Sequence, residues 1–237
     1  MDNRSAILAA ATELLETSPN GDISTRGVGE KAGVQQPVIY RLFGDKDSLL
    51  AAVVDHWFAQ YLAAKRAAVP TEDPVADLRR GWDGHTRFAL DHPNVYRLMY
   101  TPRLSSPPQA VREANELLRG VLERIAQVGR LAVEPDRAAD VVMAANTGVA
   151  LSLLNRPEAD RDPELSVRVR EIVLPGILTP EPDADPADTP PSVAQAVAQA
   201  ATTLGALLRS NRPESFSPAE FALLTEWLTH LATPTKP

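Results

Sequence analysis

Cysteine does not occur in this sequence of 237 residues, which removes disulfides, thiolate zinc sites, iron–sulfur clusters and cysteine nucleophiles together. Histidine is scarce: His56, His85, His92 and His230 stand far apart. No HExxH pair, Glu-x-x-His motif, GxGxxG loop, P-loop or GxSxG elbow is present. His85 and His92 with Asp83 and Asp91 hint at a metal, but no two histidines sit one helical turn apart and Pro93 marks a loop. Neither a metal nor a cofactor is therefore expected. No stretch of about 18 uncharged apolar residues exists to cross a membrane. The first apolar stretch, Ala6 to Leu15, is interrupted by Thr12 and Glu13 and lacks a small-residue cleavage site. A soluble, cytoplasmic protein without membrane partners is expected.

What is present suits a packed helical protein. Apolar residues make up 44% and charged residues 23%, near the globular average, and the length allows one large domain or two small ones. The net charge of −7 is uneven: residues 1–66 hold seven Lys/Arg against eight Asp/Glu, residues 67–237 seventeen against twenty-three. Within residues 24–46 the sign reverses, with Arg26, Lys31, Arg41 and Lys46 against Glu30 and Asp45. A small basic patch on an acidic chain confines a polyanion to that patch. Ordinary surface charge is the plainer reading on charge alone.

Apolar spacings of three and four recur along the chain and period-2 alternation is not sustained, so the fold is expected to be all-α. A first helix over 4–17 carries Ile7, Leu8, Ala11, Leu14 and Leu15 on one face. It stops before Ser18-Pro19-Asn20-Gly21. Ser24 caps a short helix to Ala32, Gly33 turns the chain, and a second short helix runs from Gln35 to Phe43 with Pro37 in its first turn. Asp45 then caps a long helix striped by Leu49, Val53, Trp57, Phe58 and Tyr61. Beyond Pro70 and Pro74 the spacing predicts helices over 74–90, 94–101, 107–131, 135–155 and 163–175, with Pro102, Pro107 and Pro108 in a loop. Residues 179–191 hold five prolines, four acids and no base, the composition of a linker. Helices over 192–210 and 218–232 follow.

Two short helices joined by Ala32-Gly33-Val34, with Gly29 four positions before the turn glycine, have the spacing of a helix-turn-helix: the small residue lets the helices cross closely. Val28, Val34 and Ile39 face inward. The longer string Ile23-Ser-Thr-Arg-Gly-Val-Gly-Glu-Lys-Ala-Gly-Val-Gln-Gln-Pro-Val-Ile-Tyr-Arg-Leu-Phe-Gly-Asp-Lys-Asp-Ser-Leu-Leu50 resembles the DNA-binding domain of the tetracycline-repressor (TetR) family of bacterial transcription regulators, over residues 4–62 in order. The resemblance implies that Tyr40 and Lys46 bond phosphates, and that Thr25 and Arg26, opening their helix, meet another. It also implies that Gln35, Gln36, Pro37, Val38 and Arg41 face the major groove. Glutamine can pair with adenine, arginine with guanine and valine with a thymine methyl. Gly27 and Gly29 inside a helix, Gln36 and Leu42 depart from the family's usual residues, which leaves the operator sequence open.

The resemblance further implies a variable carboxy-terminal body that dimerises and holds a ligand cavity. Phe88-Ala-Leu-Asp-His-Pro-Asn-Val-Tyr-Arg-Leu-Met-Tyr100 is similar to an element of such bodies. Trp82, His85, Phe88, Tyr96, Met99 and Tyr100 concentrate aromatics in a chain with only 5% of them. They are candidates to line a small-molecule pocket with Asn115, Met143 and Asn146, although an aromatic stripe is more often core. Ala138, Val141, Val142, Ala145 and Val149 offer a small apolar face for dimer packing. The expected organisation is a DNA-binding domain over 1–66, a ligand-binding and dimerisation bundle over 67–178, a linker over 179–191 and a helical extension over 192–237. The expected function is a homodimeric, ligand-responsive repressor of a palindromic operator in double-stranded DNA. The competing readings are an all-helical enzyme, for which no nucleophile–base pair is visible, and an interaction module docking through 192–232.

Overall fold

The computed structural model describes residues 2–18, 21–67, 69–100, 109–180 and 192–233. The regular elements among them are helices, as the periodicity predicts. Asp2 caps α1 (Asn3–Thr17). Ser24 accepts the Gly27 N–H at 3.0 Å to open α2 (Thr25–Ala32), and α3 (Gln36–Phe43) follows with Pro37 in its first turn, where a missing N–H leaves no bond unmade. Gly44, at φ +88°, ends α3 in a conformation that a side chain would strain. Asp45 then accepts the Ser48 N–H at 2.6 Å at the start of α4 (Lys46–Ala67), and that bond holds its carboxyl below the ordinary aspartate value.

The remaining helices are α5 (Pro74–Asp91), α6 (Pro93–Met99), α7 (Gln109–Gln127), α8 (Pro135–Leu154), α9 (Leu165–Val173), α10 (Val193–Ser210) and α11 (Pro218–Ala232). The expected loop residues Pro102, Pro107 and Pro108 lie outside the described residues, as does the expected linker beyond Pro180. No helix among the described residues is long and apolar enough to cross a membrane.

The chain divides into two compact units. The first holds Met1–Val69, His85–Glu116 and Ala150–Arg161. Its core buries Ile7, Ala11 and Leu15 of α1, Val28 of α2, Ile39 of α3 and Leu49, Val53 and Phe58 of α4. These are the apolar positions that the 3.6-residue period puts on one face of each helix. The second holds Pro70–Gly84, Leu117–Val149 and Asp162–Pro237, around Leu78, Trp82, Leu122, Ile125, Ala138, Val142, Leu174 and Ile177.

Two expectations for the second unit need correction. The helix expected over 107–131 stops at Gln127, because Gly129 turns left-handed at φ +72° and the Arg130 N–H closes on the Ile125 carbonyl at 3.0 Å. Val128 is therefore exposed instead of inward-facing, while Leu131 is buried beside Leu178 in a single antiparallel bridge. On α8, Ala138 and Val142, expected to meet a partner, belong to the unit's own core. The exposed side carries Val141, Ala144 and Gly148.

Helices α10 and α11 pack on each other through Ala201, Leu228 and Ala232, each opened by a serine capping box, Ser192 with Gln195 and Ser217 with Glu220. They are tied to the rest of the second unit. Ala206 enters its core, Gln199 donates to the Gly129 carbonyl at 2.7 Å, and Arg209 faces Glu123 at 3.6 Å.

Candidate nucleic-acid interface

The crossing of α2 and α3 is set by two glycines. A Cβ on Gly29 would lie 2.8 Å from the Val34 carbonyl oxygen, closer than carbon and oxygen pack, so the position tolerates only hydrogen. The same backbone carries the turn: the Val34 N–H reaches the Gly29 carbonyl at 2.9 Å, and Gly33 sits at φ +69°. The helical-propensity cost of Gly29, about 1 kcal/mol relative to alanine, is the condition for this close approach. Val28 and Ile39 are fully buried beneath the turn, and Val34 and Phe43 are partly buried.

This packing leaves a polar ridge on α3. Gln35, Gln36, Pro37, Tyr40 and Arg41 are exposed and Val38 is half-buried. Inside the ridge, Gln36 Nε2 donates to Thr25 Oγ1 at 3.1 Å, and that hydroxyl lies 3.3 Å from Tyr40 Oη. Thr25 is itself buried. The trio pins the start of α3 to the start of α2, so Gln36 enters any contact with one amide hydrogen already committed.

The cations differ in how they are held. Arg26 pairs with Glu30 at 2.8 Å one helical turn on, and the hydrogen bond and then the charge of that carboxylate raise its pKa above the ordinary arginine value. Lys31 pairs with Glu13 at 2.6 Å, and Lys46 with Asp22 at 2.7 Å. Arg41 has no such partner among the described residues. A solvated guanidinium on an exposed helix can meet a base edge or a phosphate with both of its N–H faces. The acidic partners Glu30 and Asp22 were not singled out from the sequence. The i,i+4 spacing of Arg26 and Glu30 is a readable signal, whereas Asp22 is 24 positions from Lys46 and meets it only through the fold.

The residues expected to bind a ligand fall into the two units. In the first, α4, α5 and α6 contribute interlocked rings. Phe88 lies 5.0 Å from Phe58, 4.4 Å from Tyr61 and 6.4 Å from Tyr96, and Tyr96 lies 5.0 Å from Tyr100, all tilted or edge-on, the geometries that ring quadrupoles favour. His85 Nε2 is 2.7 Å from Tyr96 Oη, both residues buried. Met99 is buried as well, and burial, reinforced by Tyr100, raises the Tyr61 pKa. Trp57, Phe58, Tyr61 and His92 complete this cluster; the sequence reading had placed the first three only on a core stripe. Asn115 is exposed on α7.

In the second unit, Trp82 Nε1 donates to Ser166 Oγ at 3.0 Å and Asn146 Nδ2 donates to the Trp82 carbonyl at 3.1 Å. Met143 is half-buried beside them on α8. A groove of about 270 Å³ lies in the first unit between α1 and α4, lined by Ala9, Thr12, Glu13, Glu16, His56 and Trp57, the last shared with the cluster. No group of three or more His, Asp or Glu side chains among the described residues is placed to hold a metal.

This architecture matches known proteins. Residues 7–53 match the family model of bacterial regulatory proteins of the tetR family, and residues 78–169 match that of the tetracyclin repressor-like C-terminal domain. A comparison with curated proteins gave no match. Among solved structures, a tetR family transcription regulator from Shewanella sp. PV-4 is 18% identical with a TM-score of 0.59, covering 76% of this chain and 100% of that one. The regulator FadR from Bacillus subtilis, in complex with stearoyl-CoA, is 17% identical with a TM-score of 0.59, over 73% of this chain and 98% of its own. A TetR/AcrR family regulator from Thermobifida fusca is 22% identical with a TM-score of 0.56, over 74% and 98%. At these identities the structures speak for the fold. The glycine-set turn, the polar ridge it presents and the two family models, one over the helix-turn-helix and one over the following body, agree, and the chain belongs to the tetR family of bacterial regulatory proteins.

Proposed function

We propose that the protein is a dimeric repressor whose α3 reads a palindromic operator and which a small molecule releases from DNA. The observation that carries this reading is the α3 ridge. Gln35, Gln36, Pro37, Tyr40 and Arg41 are exposed on the side of α3 opposite the fully buried Ile39; Gln36 and Tyr40 also brace the turn through Thr25, while the core makes no use of Gln35 or Arg41. Tyr40 and Lys46, with Thr25 and Arg26 at the start of α2, are the positioning contacts to phosphate; Gln35, Gln36, Val38 and Arg41 are the base contacts. One eight-residue helix reads few base pairs, so two copies must act together, their recognition helices about 34 to 36 Å apart or a multiple of it.

For the dimer we propose the exposed side of α8, with Val141, Ala144 and Gly148, and the adjoining α9, where Ile172 is 76% exposed. Small residues permit close helix approach and an isologous contact repeats the same patch on both protomers. For the ligand we propose the aromatic cluster of α4 to α6, with Phe88, Tyr96, Met99 and Tyr100 as apolar walls and His85 as the polar group. Trp82, Met143 and Asn146 lie in the second unit, where Trp82 Nε1 donates to Ser166 and Asn146 to the Trp82 carbonyl, and Asn115 is exposed on α7. That FadR of Bacillus subtilis was solved with stearoyl-CoA supports an effector with an apolar chain, which rings can enclose. A ligand acts here only by binding the DNA-competent and incompetent states unequally, with a coupling of typically about 1 to 3 kcal/mol. Light scattering on the free protein, with gel shifts on duplexes selected from a randomised pool, tests the reading. A monomer that retards no duplex contradicts it.

A further inference from the structure

Ser18 and Asp22, on either side of the connection from α1 to α2, are bonded to each other, and Ser18 to Asn94. Asn94, the second residue of α6, donates through Nδ2 to the carbonyls of Leu15 at 2.9 Å and Ser18 at 2.8 Å, which also accept the Ser18 N–H at 3.3 Å and the Gly21 N–H at 3.4 Å. Its Oδ1 lies 3.3 Å from where a Cβ of Gly21 would stand, and Gly21 is left-handed at φ +67°, so the amide packs directly on the turn. Across the turn, Ser18 Oγ donates to the Asp22 carbonyl at 2.8 Å and accepts the Asp22 N–H at 3.1 Å.

Asp22 is thereby aimed. Its Oδ1 accepts the Ile23 N–H at 2.9 Å and the Lys46 ammonium at 2.7 Å, although the carboxylate side chain is 67% exposed and the lysine 40%. An exposed ion pair between two freely moving side chains contributes little; here one partner is fixed before the other arrives. The lysine it holds is the one assigned to phosphate.

We propose that Asp22 is a built-in competitor for the DNA phosphate that Lys46 would bind, and that Asn94, a positioning residue outside the DNA-facing surface, holds Asp22 in that role through the Ser18 turn. The proposal rests on the DNA-binding reading given above. It gives the free protein a lysine already neutralised, so that binding DNA exchanges one anionic partner for another and releases less counterion than an unpaired lysine would. Because α6 carries the clamp, a displacement of α6 changes DNA affinity without touching α2 or α3.

The experiment measures fluorescence anisotropy of the full chain on two duplexes, one that the unmodified protein selects from a randomised pool and one unrelated duplex of equal length, across a salt series. Asp22→Asn is expected to tighten both duplexes about two- to five-fold, the factor that an exposed ion pair's worth converts to. Asn94→Ala and Ser18→Ala, which alter no charge, are expected to tighten binding by up to the same factor, and either combined with Asp22→Asn gives no more than Asp22→Asn alone. In a Lys46→Met background all three become neutral. If Asp22→Asn still tightens binding in that background, the carboxylate merely repels DNA and the competition is overturned. If Asn94→Ala and Ser18→Ala are both neutral, or add to Asp22→Asn, the clamp is overturned; Ser18→Ala decides alone should thermal unfolding show Asn94→Ala to be misfolded. If the unmodified protein selects no duplex, the DNA-binding reading itself falls and takes the competitor with it.

Discussion

The α2–α3 turn and the aromatic cluster of α4 to α6 lie in the same unit and are built on opposite rules. The turn depends on what is missing: Gly29 has no side chain because the Val34 carbonyl occupies its place, and Gly33 and Gly44 take angles that a Cβ would strain. Its outward side chains are exposed and mostly polar, free to face a ligand as large as a duplex. The cluster depends on what is added, with Phe88 touching the rings of Phe58, Tyr61 and Tyr96 and a polar bridge from His85 to Tyr96 sealed inside. The proposed DNA-reading surface is rigid backbone with excess polar groups; the proposed ligand region is apolar packing that another apolar group can replace. The two respond differently to substitution.

The largest effect is expected in the cluster. Phe88→Ala deletes a ring only 5% exposed and should cost about 3 to 5 kcal/mol, seen as a lowered midpoint in denaturant unfolding. If the variant remains folded, its affinity for the selected duplex should stay within a few fold. A loss of DNA binding larger than the loss of folded protein would break the separation between the two regions.

Next comes the turn. Gly29→Ala sets a methyl group against the Val34 carbonyl and should cost about 1 to 3 kcal/mol as overpacking, even though alanine is the better helix former. Unlike Phe88→Ala, it should also abolish gel shifts at temperatures where circular dichroism shows the helices intact. A more stable variant would mean that the crossing has slack.

A control from the second unit is expected to be similar in size and pH-dependent. Burial raises the Asp77 pKa, but hydrogen bonds from Arg124 and Thr71 and the charge of Arg80 outweigh it and hold the carboxyl below its ordinary value. A depressed folded pKa contributes stability above the unfolded value of about 3.9 and loses it as the pH falls through the folded value. Asp77→Asn should therefore lower stability at neutral pH by about 1 to 3 kcal/mol and flatten the loss on acidification below about pH 4. DNA affinity per folded molecule should not change. Smaller still, Ser24→Ala removes the cap that accepts the Gly27 N–H and should cost about 1 kcal/mol. It sharpens the comparison by weakening the α2 start without altering the α3 ridge.

The turn was legible in the sequence because its determinants are local. Serine cap, glycine, glycine and proline fall within a few positions of one another, and each has one stereochemical reading. The boundaries of α1 to α4 were legible for the same reason, down to Asp45 capping α4. What failed was one helix stop and the long-range contacts. Val128 looked like the continuation of a bundle stripe, yet the left-handed Gly129 ends α7 before it matters. Ala138 and Val142 had the right size for a dimer face and are buried in their own unit, because a helix with small apolar residues on several sides does not announce which side is outermost. Asn94 and Asp22 gave no signal at all. Asn94 acts 79 and 76 positions away and Asp22 acts 24 positions away, and no spacing rule spans such distances.

The central claim is that the exposed ridge of α3 reads DNA as one half of a two-fold pair. Selection from a randomised duplex pool, run in parallel on the unmodified protein and on Arg41→Ala, tests it most directly. The account predicts an inverted repeat whose half-site centres lie about 10 to 10.5 base pairs apart or a multiple of that, with preference relaxed at one position in each half by Arg41→Ala. Enrichment of no motif, or of a motif without two-fold symmetry that Arg41→Ala leaves unchanged, would contradict it.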